Sequence, residues 1–519
     1  MNKMTIQKRC LIQLFNALIL MLLLMACGRG GDTNMPSASP SQEEMQAVTQ
    51  SVSPYAAPIV SPTPDPELPY KGDGSKYEYI MTDERDRAWE EDIVYFADRF
   101  LDKDSGHPKL IKRGCVTVYV NGFRNSMRDE EIRYETLYEP ELRDEFIGRI
   151  NRLILSIPEK SDADLCLDCS ETAAIFNDVH TFVHFYHKNH TDTFYPLELM
   201  PVFNNEVPEA YIVAAPKGME DILLCRLDAI NGVPLSEIYE KLAALEGKEN
   251  KYWLYNVIFL SEPAIHKSYV ILCNEILRHY GIQGESETAV FTLTDEKGMT
   301  RDIKISSFLY EEGPEMVVFR PADVEDESIA VELRTSNEKE SVWSAILDDG
   351  KVLYIRFNVC TENADQIVEK AIFSIQKKDT VKKVILDFRG NSGGYDIIAA
   401  RIASVLDSLE ASDGKYILID GGSSSSSVSI GVLLRRFCKD VLLVGAPAGM
   451  SPNGNFSRNS FEAPNGLLSG AQSASRCFYL WPGNDDPALM PDITVYQTLE
   501  DYRNGIDTVM KYLLGASVE

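Results

Sequence analysis

Short apolar runs alternate with helical patterns through the last third of the chain, and this alternation constrains the fold most strongly. Each run has four to six residues, the length of a buried strand and too short for a helix. The runs are Val352–Phe357, Val384–Phe388, Tyr416–Ile419 and Val441–Val444, with helical patterns at 362–377, 396–409 and 428–437 between them. Such alternation predicts βαβ units in a sheet that helices cover on both faces. We therefore expect an α/β core over 340–519.

The rest of the globular part divides by pattern into two further regions. Apolar residues from Trp89 to Phe100 recur at steps of three and four, which predicts a helical N-terminal domain over 76–175. Residues 176–335 predict a mixed middle domain that is richer in strands. With 519 residues, 44% apolar and 25% charged, the chain has the composition of a soluble protein of several domains. Wholesale disorder and a polytopic membrane protein are excluded.

Residues 1–27 predict an export signal. Three basic residues precede an apolar stretch, an order typical of a signal peptide. The stretch ends in Leu24-Met25-Ala26-Cys27, which resembles a bacterial lipobox, so we expect cleavage before Cys27 and diacylation of that cysteine. An uncleaved anchor and a plain signal with a chance cysteine are the alternatives. Pro- and Ser-rich residues 28–75 predict a disordered stalk, and the protein is expected on the outer face of the bacterial cytoplasmic membrane.

Net charge restricts the partners. The chain carries 51 Lys and Arg against 79 Asp and Glu, a formal charge of −28. Binding to a phosphate backbone needs a basic face, so no nucleic-acid partner is expected. Membrane contact is expected through the N-terminal lipid, and no oligomeric state is predicted.

Cysteine usage permits disulfides in an exported chain. Ten cysteines include Cys10 in the signal and Cys27, which leaves eight. They are scattered singly except for Cys166 and Cys169, and one such pair alone is weak support for zinc. We interpret this pair as a local disulfide or as two buried thiols.

Two segments at the ends of predicted strands are candidates for a catalytic site. Val384 to Gly394 runs from a strand into a turn with three glycines, which allow positive φ and let backbone N–H groups point into a cleft. Five serines, Ser423 to Ser427, lie between an apolar strand and an apolar helix. A serine at such a corner lies at a helix N-terminus, where free N–H groups stabilise an oxyanion, as in a nucleophile elbow. An ordinary βα turn and capping serines are the structural alternatives.

Together these segments resemble the tail-specific, or C-terminal processing, serine peptidases, including their tricorn-core branch. Leu386 to Gly394 reads Leu-Asp-Phe-Arg-Gly-Asn-Ser-Gly-Gly, close to the family's strand-and-turn motif. Val444 to Gly449 and Pro491 to Val495 are similar to two later family strands, and Asp178-Val179-His180-Thr181 is similar to its Asp-x-His-Thr. The resemblance spans roughly residues 85 to 515. It implies a catalytic core of crotonase-like or ClpP-like βαβ units with a mixed sheet, a helical N-terminal domain and a PDZ-like middle domain.

The resemblance also implies a nucleophile and a base. Counting back from Gly445 through the stiff helix places the nucleophile on Ser426, whereas counting forward from Asp420 places it on Ser425. We prefer Ser426. His180 matches the histidine that the tricorn-like branch uses, and a neutral imidazole takes the serine proton near neutral pH.

Two further family roles fall on residues of this chain. The oxyanion hole is expected from the backbone N–H groups of Gly393 or Gly394 and Ser427. The carboxylate that orients the histidine has Asp485 and Asp486 as candidates.

The lysine of the better-known Ser/Lys branch is missing. Ser451 occupies its position, and Lys439 lies at the far end of the predicted helix. The resemblance therefore favours the Ser/His branch without the Ser/Lys dyad.

Four histidines lie close together, at His180, His184, His187 and His190. Clustered imidazoles bind zinc, but this spacing is neither the His-Glu-x-x-His of a metalloprotease nor that of a zinc finger. We interpret the last three as structural or surface histidines, and we predict neither a metal nor an organic cofactor.

The middle region contains one motif of its own. Leu227 to Ile238 resembles the Ile-Asn-Gly turn of a PDZ-like module followed by a helix. A plain β-turn is the alternative.

The sequence thus predicts a membrane-anchored, extracytoplasmic serine peptidase that acts on a peptide or protein substrate. Ser426 attacks the peptide carbonyl and His180 shuttles the proton. The alternative is a catalytically inactive family member that binds peptides or apolar ligands at the cell surface, because a flexible serine run would place the nucleophile poorly. A zinc hydrolase built on the histidine cluster is the third reading.

Overall fold

The computed structural model describes residues 69–101, 113–119, 130–136, 141–185, 193–204, 207–259, 270–309, 312–375, 380–396, 398–478 and 484–515. By its contacts the chain divides into Met1–Pro66 and Glu67–Glu519, and the description concerns the second unit. The predicted signal peptide, Cys27 and most of the predicted stalk lie outside the described residues. Within the described ranges, no helix is both long and apolar enough to cross a membrane.

The N-terminal region packs helices around an apolar core and also contains two strands. Its elements are α1 (Glu84–Phe100), β1 (Arg113–Tyr119), β2 (Glu130–Thr136), α2 (Glu141–Ser156) and α3 (Asp162–Ala174). Trp89, Phe96 and Phe100 of α1 are fully buried, as the three- and four-residue spacing predicts. The sequence predicts a helical domain here, and the structure adds β1 and β2 to its helices. Since β1 pairs with a strand near the C-terminus, local periodicity does not reveal it.

The cysteine pair of this region lies on α3. Cys166 and Cys169 are both buried and both free thiols, and both belong to the N-terminal apolar core. The second of the two alternatives, buried thiols, is therefore the one that the structure contains.

The middle region mixes strands and helices around a second apolar core. Its elements are β3 (Phe182–Val183), β4 (Thr193–Phe194), β5 (Glu198–Phe203), β6 (Pro208–Pro216), β7 (Arg226–Ile230), β8 (Val233–Pro234), α4 (Leu235–Leu242), α5 (Lys251–Phe259), α6 (Asn274–His279), β9 (Thr288–Thr294), β10 (Thr300–Ser306), β11 (Phe308–Leu309) and β12 (Met316–Val318). The main sheet has the order β10-β9-β7-β6-β12. The turn between β7 and β8 has positive φ at Asn231 and Gly232, and α4 follows it. A PDZ-like role for this segment stays a prediction.

The last third forms a parallel sheet with helices on both faces. Its elements are β13 (Val342–Leu347), β14 (Val352–Phe357), α7 (Ala364–Ile375), β15 (Lys383–Asp387), α8 (Ala399–Asp407), β16 (Lys415–Ile419), α9 (Ser426–Phe437), β17 (Val441–Gly445), β18 (Asn455–Glu462), β19 (Ser469–Phe478), β20 (Ile493–Thr494), α10 (Leu499–Arg503) and α11 (Thr508–Leu514). The sheet order is β13-β14-β15-β16-β17-β20, antiparallel at β13 and parallel elsewhere. The four predicted strands and three predicted helices are all present.

Apolar side chains on each face of this sheet explain its layers. Helices α7, α8 and α9 bury Ile372, Ile402 and Val432 in the cluster on one face. On the other face, Met510 of α11 joins the cluster around Tyr354 of β14. Because β15 and β16 are neighbouring parallel strands, their carboxyl ends lie side by side. Ligands bind at such ends in open α/β sheets. The glycine turn and the serine run follow those two ends.

A second sheet joins the N-terminal region to the end of the chain. Its order is β18-β19-β1-β2, with β3 also paired to β19. Phe461 and Leu468 belong to the N-terminal apolar core, and the carboxylate of Asp92 accepts the N–H of Leu467 at 2.8 Å. Short 3₁₀ helices lie at Ile157–Glu159, Glu220–Ile222, Val270–Leu272, Glu327–Ile329, Val331–Thr335 and Asp348–Gly350.

Candidate active site at the ends of β15 and β16

The glycine turn after β15 makes contacts that a larger residue would block. Gly390, Gly393 and Gly394 have φ of 68°, 108° and 133°, in the region that favours glycine. A Cβ on Gly393 would lie 2.6 Å from the Cβ of Ser425, and a Cβ on Gly394 would lie 2.2 Å from the carbonyl oxygen of Cys360. The glycines therefore allow the turn to lie directly against the serine run.

A buried ionic network fixes the base of this turn. Nη2 of Arg389 donates to Oδ2 of Asp387 at 2.7 Å and to Oδ2 of Asp507 at 2.8 Å. Nη1 of Arg356 donates to Oδ1 of Asp387 at 3.3 Å and to the carbonyl of Arg389 at 2.6 Å. Burial acts to raise the pKa of Asp387, but attraction by Arg389 and Arg356 outweighs it and holds that pKa well below its usual value.

Asn391 connects the glycine turn to its neighbours on both sides. It is fully buried. Its Nδ2 donates to the carbonyl of Phe357 at 2.9 Å, and its Oδ1 accepts the N–H of Gly393 at 2.7 Å. Its carbonyl accepts the N–H of Ser424 at 3.1 Å and Oγ of Ser427 at 2.8 Å. Sequence analysis assigns this residue no role of its own, although an amide side chain within a glycine-rich turn is a recognisable signal.

The serine run is docked onto the glycine turn and does not act as a linker. Four of its five side chains are buried, and each donates to a backbone carbonyl of residues 388–394. The pairs are Ser423 with Phe388 at 2.9 Å, Ser424 with Ser392 at 3.3 Å, Ser426 with Gly394 at 2.6 Å, and Ser427 with Asn391 at 2.8 Å. This bonding removes the expectation that the run is flexible.

Ser425 differs from the other four serines. It is half-buried, and it occupies the N-cap position of α9 with φ 52° and ψ −125°, without a side-chain capping bond. A non-glycine residue in such a conformation costs roughly 1–3 kcal/mol, and such residues cluster at active sites. Its N–H donates to Sδ of Met450 at 2.7 Å. By contrast Ser426, the preferred nucleophile from sequence, is the first residue of the helix and its Oγ is bonded to Gly394.

The backbone donors around this corner divide into two groups. The N–H groups of Gly393 and Ser427, both predicted for the oxyanion hole, donate within the two turns at 2.7 and 3.2 Å. The N–H groups of Gly394 and Ser426 have no acceptor among the described residues. A Cβ built on Gly393 would lie 2.8 Å from the nitrogen of Ser426, so the two turns meet at these donors. The pair of donors without an acceptor therefore contains Gly394, as predicted, but Ser426 in place of the predicted Ser427.

His180 lies on a segment that packs against the catalytic core. Its N–H donates to Oδ1 of Asp178 at 2.9 Å, and its Nδ1 lies 3.9 Å from the same oxygen. Thr181 donates its Oγ1 to the other carboxylate oxygen of Asp178 at 2.6 Å. Val179 belongs to the same apolar cluster as Met450, which contacts the serine run. His180 itself is 7% exposed.

The other predicted site residues lie elsewhere. His184 is half-buried, and its N–H donates to a backbone carbonyl of β19 at 2.9 Å. His187 and His190 lie outside the described residues. Asp485 and Asp486, the candidates for orienting the histidine, are exposed.

Neither candidate position supplies the lysine of the Ser/Lys branch. The N–H of Ser451 donates to Oε2 of Glu249 at 2.9 Å, so this residue has a structural contact instead. Lys439 follows the C-terminal end of α9. At 1.5 Å per residue that end is about 18 Å from Ser425.

Comparison with known proteins gives one sequence match and several structural likenesses. Residues 351–413, from β14 through the glycine turn and α8, match the model of Peptidase family S41. No curated protein matches the chain significantly.

The solved structures similar to this chain include three peptidases. Mature CPAF has 11% identity and a TM-score of 0.48, covering 72% of this chain and 92% of that one. The photosystem II D1 C-terminal processing protease has 14% identity and a TM-score of 0.31, covering 83% and 98%. A putative peptidase from Parabacteroides merdae has 16% identity and a TM-score of 0.29, covering 51% and 93%.

The family match includes the strand and glycine turn that carry the motif Leu386 to Gly394. It supports the resemblance drawn from that motif. Residues 351–413 are thus similar to Peptidase family S41, the tail-specific or C-terminal processing serine peptidases.

Proposed function

We propose that the protein is an active serine peptidase whose nucleophile is Ser425. The observation that carries this proposal is the backbone of Ser425, with φ 52° and ψ −125° at the N-cap of α9. A sharp strand-to-helix turn of this kind exposes the nucleophile in a nucleophile elbow. The proposal moves the nucleophile by one residue from Ser426, whose Oγ is buried and bonded.

The proposed oxyanion hole consists of the N–H groups of Ser426 and Gly394. In a nucleophile elbow the residue after the nucleophile supplies one donor, and Ser426 follows Ser425. The second donor comes from the glycine turn, which the docked serines and Asn391 hold in place. Donors fixed before the reaction stabilise the developing negative charge without reorganising.

His180 is the proposed general base. It takes the proton from Oγ of Ser425 as that oxygen bonds to the peptide carbonyl carbon, and it returns the proton to the leaving amine. Water then releases the acyl group from the serine by the same route. Asp178 is the proposed positioning residue, because its buried carboxylate accepts the N–H of His180 and lies 3.9 Å from Nδ1 of the same residue.

The substrate class we propose is an unstructured peptide segment, and the site is proposed to work outside the cytoplasm. An exported chain tethered through Cys27 meets proteins at the membrane surface. The N-terminal residues with the lipobox carry this part of the proposal.

The test uses the full chain with Cys27→Ala, a fluorophosphonate probe that labels activated serines, and casein as substrate. Ser425→Ala and His180→Gln are each expected to lower cleavage at least about 10³-fold. Ser426→Ala is the matched control, and it is expected to keep labelling and cleavage within about tenfold.

Two outcomes contradict the assignment. Loss of labelling in Ser426→Ala with full labelling of Ser425→Ala would return the nucleophile to Ser426. A folded wild-type chain that neither reacts with the probe nor cleaves casein and a broad peptide library would favour the peptide-binding alternative.

A further inference from the structure

A cluster of ionisable side chains joins the N-terminal region to the middle region, outside the site described above. Asp168 and Glu171 are three residues apart on α3 and share one face of that helix. His279 is the last residue of α6. Within the part of the chain that the structure describes, these three side chains each offer one ligand atom within 4.8 Å of the others.

The imidazole of His279 is oriented toward the two carboxylates. Its Nδ1 lies 3.1 Å from Oδ1 of Asp164, a hydrogen-bond distance. Its Nε2 lies 3.8 Å from Oδ1 of Asp168 and 3.6 Å from Oε1 of Glu171. Metal-binding histidines are typically held in this way, with one nitrogen bonded to a carboxylate and the other directed at the ion.

The two separations that involve His279 are close to those of a tetrahedral zinc site. Zinc bonds of about 2.0–2.2 Å to nitrogen and oxygen imply ligand atoms about 3.3–3.5 Å apart. The observed 3.6 and 3.8 Å therefore need changes of a few tenths of an ångström, which side-chain rotation supplies. The side chains of His279 and Glu171 are 13% and 23% exposed, so an ion reaches the cluster from solvent.

Two neighbouring groups already bond to the carboxylates. Lys160 donates to Oδ2 of Asp168, whereas the oxygen near His279 is Oδ1. The hydroxyl of Tyr280 donates to Oε1 of Glu171 at 2.7 Å, and such a bond holds a coordinating carboxylate in place.

We propose that Asp168, Glu171 and His279 bind a divalent transition-metal ion, for which zinc is the probe, with water in the fourth position. The ion would join α3 to α6 and so clamp the N-terminal region to the middle region. This role is structural and independent of the peptidase site. It also differs from a zinc hydrolase built on the histidines at 180–190.

Protons compete with the ion for this cluster. Burial acts to lower the pKa of His279, but its hydrogen bond to Asp164 and the nearby carboxylate of Glu171 outweigh that effect and raise the pKa to about 9. Since a bound ion displaces the imidazole proton, the zinc affinity is expected to rise as the pH is raised towards that value.

The test strips the full chain carrying Cys27→Ala with EDTA and titrates it with Zn²⁺ by calorimetry, with elemental analysis of the dialysed complex. Wild type is expected to bind one zinc per chain at this site and to gain a few degrees in Tm. His279→Gln is expected to lose that binding and the Tm gain. Asp164→Asn, which keeps all three ligands, is expected to weaken binding about 10–100-fold.

Glu315→Gln is the matched control, because it removes an exposed carboxylate that pairs with Lys217 and leaves the three ligands and their neighbours intact. Its zinc affinity is expected to equal that of wild type. The proposal is overturned if wild type takes up no zinc, or if His279→Gln binds zinc as tightly as wild type. Circular dichroism checks that each variant is folded, and the Asp164→Asn comparison decides the matter if His279→Gln unfolds.

Discussion

At the scale of single residues, the turn at Ser425 combines a strained backbone with neighbours that are fixed by hydrogen bonds. Ser425 has a conformation that costs roughly 1–3 kcal/mol, while its neighbours in the serine run are each hydrogen-bonded to the glycine turn. The strain persists because those bonds fix the chain on both sides of it. Sites that hold a reactive group in this way commonly trade stability for activity.

Replacing Ser425 by glycine separates the loss of its hydroxyl group from the relief of its backbone strain. Ser425→Gly is expected to abolish cleavage while leaving the free energy of unfolding unchanged or higher by up to about 2 kcal/mol, because glycine relieves strain at positive φ. The matched change Ser426→Gly lies at the first residue of α9 and is expected to lower the free energy of unfolding by about 1 kcal/mol. Urea unfolding measures both. A larger loss of stability in Ser425→Gly than in Ser426→Gly would show that the backbone of Ser425 is not strained.

At the scale of elements, the glycine turn depends on charges buried beneath it. Asp387 ends β15 and pairs with Arg356 of β14 and with Arg389 of the turn. Asp507, which precedes α11, also pairs with Arg389. Removing one member of a buried ionic network leaves its partners charged and unpaired, and that cost is large. The network thus ties the position of the turn to the far face of the sheet.

Asp387→Asn is expected to lower the free energy of unfolding by about 3–5 kcal/mol. Glu369→Gln, which removes an ion pair with the half-exposed Arg401, is the control and is expected to change it by less than about 1 kcal/mol. Denaturant unfolding at neutral pH compares them. Equal losses in the two variants would contradict a special contribution from the buried network.

The same network predicts a sign for the pH dependence. The pKa of Asp387 is lowered in the folded state, so its contribution is fully present above its unfolded pKa of about 3.9 and is lost as the pH falls through the folded pKa. Wild type is therefore expected to lose stability more steeply than Asp387→Asn when the pH is lowered from about 5 to 2. Parallel curves for the two proteins would contradict this assignment.

The sequence predicted the strands and helices better than the geometry of individual site residues. The runs at Val352–Phe357 and Val441–Val444 became strands within a residue of the expected bounds, because a strand buried on both faces is apolar throughout. Choosing between Ser425 and Ser426 needed φ and ψ, which counting along a chain does not provide. The cluster at His279 left no local signal, since its members come from two helices far apart in sequence.

At the scale of the whole molecule, the N-terminal residues are proposed to decide where the protein works. Cys27→Ala is expected to move the protein from the membrane fraction to the soluble fraction, because a diacyl anchor is the stable attachment that the lipobox predicts. The substitution lies outside Glu67–Glu519, so cleavage of casein is expected to stay within about twofold of wild type. Fractionation followed by an activity assay measures both.

Two results would contradict that expectation. Retention of Cys27→Ala in the membrane fraction would indicate an uncleaved signal anchor. A wild-type chain found in the soluble fraction would indicate a plain signal peptide.

The pairing of β1 with β19 has a consequence for how the chain reaches its native state. Cys115 lies opposite Ser475 in parallel register, and Phe461 completes the core around α1. Contacts between residues so distant in sequence slow folding, because the loop must close before they form. Under the proposed export, a chain that emerges N-terminus first would therefore wait, partly folded, until its last residues had crossed the membrane.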